Sequence, residues 1–142
     1  MAISNLKETL SRYRLQANAL NYEINYLQRQ EGDAIAAQGD EMSLKLACER
    51  DAKSHFKALY EDDIDLQEKY KDYTEIPDFE YEIDVIAAEY TEKLNNLSSW
   101  ESNLEARITT DNAELEENKA LQESIKSMLT NNISQDFKYG LN

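Results

Sequence analysis

Eight positions open the chain in unbroken 3-4 alternation: Ile3, Leu6, Leu10, Tyr13, Ala17, Leu20, Ile24 and Leu27. Such spacing gathers apolar side chains on one stripe of an α-helix, the a and d positions of a coiled-coil seam. A second stripe, Leu15, Ala19, Tyr22 and Tyr26, falls at f and c, on the side away from the seam. A helix that is apolar on two sides calls for two neighbours, which favours a bundle or an oligomer over a lone pair.

Breakers divide the rest. Gly39 suits the position just past a helix C-terminus and Asp40 suits the next N-cap, so the first helix is expected over about 3–38. The alternative is a continuous helix that tolerates Gly32 and Gly39 at about 1 kcal/mol each. A second helix is expected over about 41–75, with a loose stripe of Met42, Leu46 and Ala52. Phe56, Leu59, Asp63, Leu66, Tyr70 and Tyr73 then restore the 3-4 spacing, with Asp63 a polar interruption.

The single proline, Pro77, biases Ile76 away from helical geometry, and Asp78 is placed to cap a new helix. Residues 79–85 alternate as a strand would and could add to a partner's sheet. No second strand is visible to pair with them, and Phe79, Ile83, Ile86 and Tyr90 also satisfy helical spacing. Helix is therefore the reading adopted, over about 78–130. Its stripe continues through Leu94, Leu97, Glu101, Leu104, Ile108, Asp111, Leu115, Asn118, Gln122, Ile125 and Leu129. The fold class expected is all-α: long coiled-coil-like helices in an elongated hairpin or three-helix bundle. Residues 1–130 would form one helical domain and 131–142 a C-terminal tail, with Ile133 and Phe137 one turn apart.

Composition narrows the partners. With three glycines and one proline in 142 residues, the turns that a sandwich or barrel demands cannot be supplied. The net charge of −14 is unevenly spread. Residues 1–37 balance four acids with four bases, whereas residues 61–92 hold thirteen acids against Lys69 and Lys71. That surface repels phosphate backbones and anionic lipid heads, so nucleic acid is not an expected partner. No apolar run approaches the roughly 18 residues that span a bilayer, and no secretory leader is legible at the start. A cytoplasmic location is the expectation, with export by a route lacking a cleaved signal as the alternative.

Candidate chemistry thins on inspection. Cys48 is the only cysteine and His55 the only histidine. They lie two helical turns apart, roughly 10 Å along the axis, too far to share a zinc ion unaided. Asp63 and Asp65 start like a calcium loop, but Glu68 stands where Gly is required and Thr74 where Glu is required. A di-iron bundle needs Glu-x-x-His, and Ala52 stands three before His55. No nucleophile elbow or phosphate-cradling glycine loop occurs. The expectation is a non-catalytic protein with no cofactor, no metal and no small-molecule substrate. Protein partners, foremost a second copy of the chain, are expected at Leu6, Leu10, Tyr13, Leu20, Tyr22, Ile24, Tyr26, Leu27 and Trp100.

The opening Ala2-Ile3-Ser4-Asn5-Leu6 and the closing Asn131-Asn132-Ile133-Ser134-Gln135-Asp136-Phe137-Lys138-Tyr139 resemble the termini of coiled-coil helical proteins handled by flagellar or type III secretion machinery. Trp100 is similar to the tryptophan of helical-hairpin secretion substrates, with Glu101 where those carry Gly. The resemblance implies long seam-forming helices at both termini and a secretion-associated role. Two functions stand as expectations: a scaffold that self-associates through its heptad seams, or a monomeric acidic adaptor or chaperone-like module that holds a basic protein.

Overall fold

The first helix does not stop at its glycines. In the computed structural model, which describes residues 2–140 and the side chains as far as residue 136, α1 spans Ile3–Asp62 without interruption. Gly32 and Gly39 both have ordinary helical backbone, and neither takes a positive φ. The expected break at about 38 is therefore corrected: a glycine permits a left-handed turn but does not impose one. Because the helix is unbroken, its seam keeps its phase, and Ala34, Gln38, Glu41, Lys45, Cys48 and Ala52 follow Leu27 as the buried or half-buried face. Met42 and Leu46, which the glycine break had assigned to a new stripe, point outward instead.

The chain reverses over 63–76 through short elements. Asp63 caps α2 (Ile64–Lys69), its carboxylate accepting from the backbone N–H groups of Asp65 and Leu66. It is thus a helix cap and not a polar residue inside a stripe, and the helix expected over 41–75 ends earlier. A 3₁₀ turn, Tyr73–Glu75, comes next, capped by Asp72. Pro77 then occupies the first position of α3, Pro77–Gly140, where its missing N–H costs nothing. The start of α3 is closed by the Ile76 carbonyl, which accepts from Phe79 and Glu80, with Asp78 in the first turn, not at the cap. Acids there also favour the positive end of the helix dipole.

Residues 79–85 are helical, and no strand occurs among the described residues. Every position of the α3 stripe foreseen from Ile83 to Leu129 is buried or half-buried. The α3 helix also continues through 131–140, so the segment expected to be a tail is helical over those residues. The pairing of Ile133 with Phe137 lies outside the described side chains.

The chain forms two compact units, each a pair of antiparallel helical stretches. One unit combines Met1–Glu31 with Asn103–Asn142. Here Leu6 and Leu10 pack on Ile125, with Tyr13 and Leu129 beside them, while Ala17, Leu20 and Ile24 pack on Leu115. Rising along α1 is matched by falling along α3, which is what antiparallel pairing requires. The other unit, Gly32–Ser102, is a helical hairpin closed by the reversal. Phe56, Ile76 and Phe79 form its buried end, flanked by Tyr60, Leu66, Tyr70, Tyr73 and Ile83. Phe79 meets both Phe56 and Tyr73 edge-on, at centroid separations of 5.5 and 5.3 Å. The Tyr60 hydroxyl donates to the carbonyls of Tyr70 and Lys71 at 3.0 and 2.7 Å, and Gln67 returns its amide to the end of α1. The reversal is thereby tied to the helix it leaves.

Candidate functional site

Of the nine side chains the sequence marks for contact, six are consumed inside the chain. Leu6, Leu10, Ile24 and Leu27 are buried, and Tyr13 and Leu20 are half-buried, all on the seam of the first unit. They are unavailable to a partner unless that helix pair opens. Tyr22 and Tyr26 stand outside, at 76% and 53% exposure, and Trp100 is exposed on α3 of the hairpin unit. Leu15 joins the two tyrosines at 66%, and Ala19 between them is also exposed. The f and c stripe of α1 is therefore a continuous apolar face with no protein neighbour among the described residues. Isolated exposed apolar residues are ordinary; here four stand in register on one helix face.

The seams hold polar groups as well. In the first unit, buried Asn118 donates its amide to the carbonyl of Tyr13 at 3.0 Å and accepts from Gln122 at 2.6 Å. Asp111 is also buried, and its Oδ2 has no hydrogen-bond partner. Burial raises the pKa of this carboxyl above the usual range, as do the charges of Glu23 and Glu114 and a hydrogen bond with Glu23; Arg107 opposes them. Arg107 is itself held by Glu23 across the helix pair, at 3.2 Å.

In the hairpin unit Gln38 donates to the Glu101 carboxylate at 2.6 Å. The Cys48 thiol meets the Tyr90 hydroxyl at 3.5 Å. That contact, then burial and the charges of Glu89 and Glu41, pushes the Tyr90 hydroxyl up to about 12. Oε2 of Glu41 is buried without a partner.

Cys48 and His55 both line an open groove with Asp51, Ala52, Glu82 and Ile86. Among the described residues, neither belongs to a group of three ligand atoms within 4.8 Å of one another. The cysteine's partner is Tyr90, and the imidazole of His55 lies edge-on to Phe56, at 5.3 Å between centroids.

The acids of 61–92 are exposed throughout, from Glu61 to Glu92. What sequence reasoning missed is that apolar side chains stand among them: Ile64 is 70% exposed and Tyr81 is 72% exposed, with Leu59 and Val85 also outside. The signal for Tyr81 and Val85 was present in the alternation of 79–85, whose odd members divide between the two faces once the segment is helical.

No family model, curated protein or solved structure matches this chain.

Proposed function

We propose that this is a non-catalytic structural protein that self-associates, and that it does so through the outward stripe of α1 and not through its heptad seams. The observation that carries the reading is the exposure of Leu15, Tyr22 and Tyr26 on a helix whose opposite face is already filled. Burying such a stripe against another helix removes apolar surface from water, at about 25 cal/mol per Å². The stripe also lies in the charge-balanced part of the chain, where copies carrying a net −14 approach at least electrostatic cost. The setting in this reading is the cytoplasm, and the resemblance at the termini keeps a secretion-associated role within it.

A second reading is supported by the exposure of the thirteen acids in 61–92: a monomeric acidic adaptor or chaperone-like module that holds a basic protein. Light scattering across a wide range of protein concentration separates the two. The scaffold gives a mass that climbs above 16.4 kDa with concentration. A mass fixed at one chain throughout leaves only the adaptor.

A further inference from the structure

Two outward stripes of this chain match in length and spacing and are opposite in charge. On α1 the apolar residues Leu15, Ala19, Tyr22 and Tyr26 are bracketed on the same face by Arg12 and Arg29, at spacings of 3-4-3-4-3. On α3 the exposed residues Tyr81, Val85 and Ala88 are bracketed on one face by Asp78 and Glu92, at spacings of 3-4-3-4. The arginine bracket spans about 25 Å and the acidic bracket about 21 Å at 1.5 Å per residue, a difference within the reach of two arginine side chains. Arg12 and Arg29 are exposed, and neither makes an ion pair among the described residues. Around Tyr81 and Val85 stand four more acids, Glu80, Glu82, Asp84 and Glu89, of which only Glu89 forms an ion pair among the described residues, with Lys93.

Each stripe meets like charge if it pairs with its own counterpart in another copy: arginines face arginines, or acids face acids. Pairing the two unlike stripes buries both apolar faces and sets guanidinium against carboxylate at the rim, where opposite charge steers encounter and fixes register. We infer that the α1 stripe of one copy docks on the outer α3 stripe over residues 78–92 of a second copy, a contact between unlike surfaces and not a self-matched one. The inference rests on the self-association proposed above and specifies its partner surface. It also accounts for an exposed apolar stripe set within the most acidic part of the chain.

Charge reversal tests it with two chains. One carries Arg12→Glu and Arg29→Glu, the other Asp78→Lys and Glu92→Lys; all four positions are exposed and outside the packed seams. Sedimentation velocity is run on wild type, on each reversed chain and on their equimolar mixture, with helicity checked by circular dichroism. The expected result is association of wild type, at least about tenfold weaker association of each reversed chain alone, and recovery in the mixture, where reversed stripes meet complementary partners. Should a reversed chain lose helicity, the neutral pairs Arg12→Gln with Arg29→Gln and Asp78→Asn with Glu92→Gln replace them, each expected to weaken association. A reversed or neutral chain that associates as tightly as wild type, or a reversed mixture that stays monomeric, overturns the docking while leaving self-association standing. A wild-type chain that is monomeric at every concentration overturns both.

Discussion

The side-chain amide of Asn118 donates to the backbone carbonyl of Tyr13, 105 residues away, at 3.0 Å. Asn118 is almost fully buried, and Gln122 donates to its carbonyl oxygen from the next turn. A buried amide satisfied in this way fixes which turn of α3 faces which turn of α1, because sliding the pair strands the amide. Asn118→Ala is expected to lower stability by about 1–2 kcal/mol, from two lost hydrogen bonds and a small cavity. Urea denaturation checks this, with native helicity unchanged.

Asp111 is the opposite case, a seam carboxyl whose second oxygen has no partner. Its pKa is raised by burial and by the charges of Glu23 and Glu114. The folded chain therefore holds this proton more tightly than the unfolded chain does. Stability from this group is complete below the unfolded carboxyl pKa and falls as pH rises through the raised folded value. Asp111→Asn should be more stable than wild type at neutral pH, and the difference should shrink on acidification. Urea midpoints of both chains across a pH series measure it.

Tyr90 gives an alkaline counterpart. Its hydroxyl is pushed up to about 12 by the Cys48 contact, burial and nearby acids, so the folded chain resists forming this phenolate. The corresponding stability is present below the ordinary tyrosine value of 10.0 and is lost as pH climbs towards 12. In ultraviolet titration a late ionisation by Tyr90 is expected. Cys48→Ala should bring it earlier, because the first cause of the shift is removed, and Tyr90→Phe should delete it.

Gly32 and Gly39 sit in mid-helix with helical backbone, and a Cβ at either would meet nothing within 4 Å. Alanine there lowers the conformational entropy of the unfolded chain without strain in the folded one. Each Gly→Ala replacement is expected to stabilise by about 1 kcal/mol, and the two should add, which thermal unfolding of the single and double variants reads directly.

These glycines also show where the sequence could and could not be read. The α3 stripe was legible to its last position, polar members included, because every step from Ile83 to Leu129 is three or four residues, with one extra step of four at Tyr90 to Leu94. The seam of α1 was legible only to Leu27. Beyond it the buried face is carried by Gln38, Glu41 and Lys45, residue types that report solvent when read alone, while Met42 and Leu46 a step away report core. Carrying the phase across Gly32 would have found the face, but helix-stop chemistry at Gly39 and Asp40 argued for restarting it. Asp63 was ambiguous for a similar reason, since a cap and a seam position can share one spacing. Of the candidate contact surface, Tyr22 and Tyr26 were readable from period alone. Period places the seam leucines on a packed face without saying whether the facing helix belongs to the same chain; here it does.

Seams satisfied within the chain, with the outer stripe of α1 left for association, are the central claim. Sedimentation equilibrium of wild type against Leu15→Ser with Tyr22→Ser tests it most directly, since both positions are outside the packed core and substitution there leaves the fold intact. Wild type is predicted to show a mass above one chain, reduced to one chain by the double substitution at equal helicity. Unchanged self-association of the substituted chain would contradict the claim.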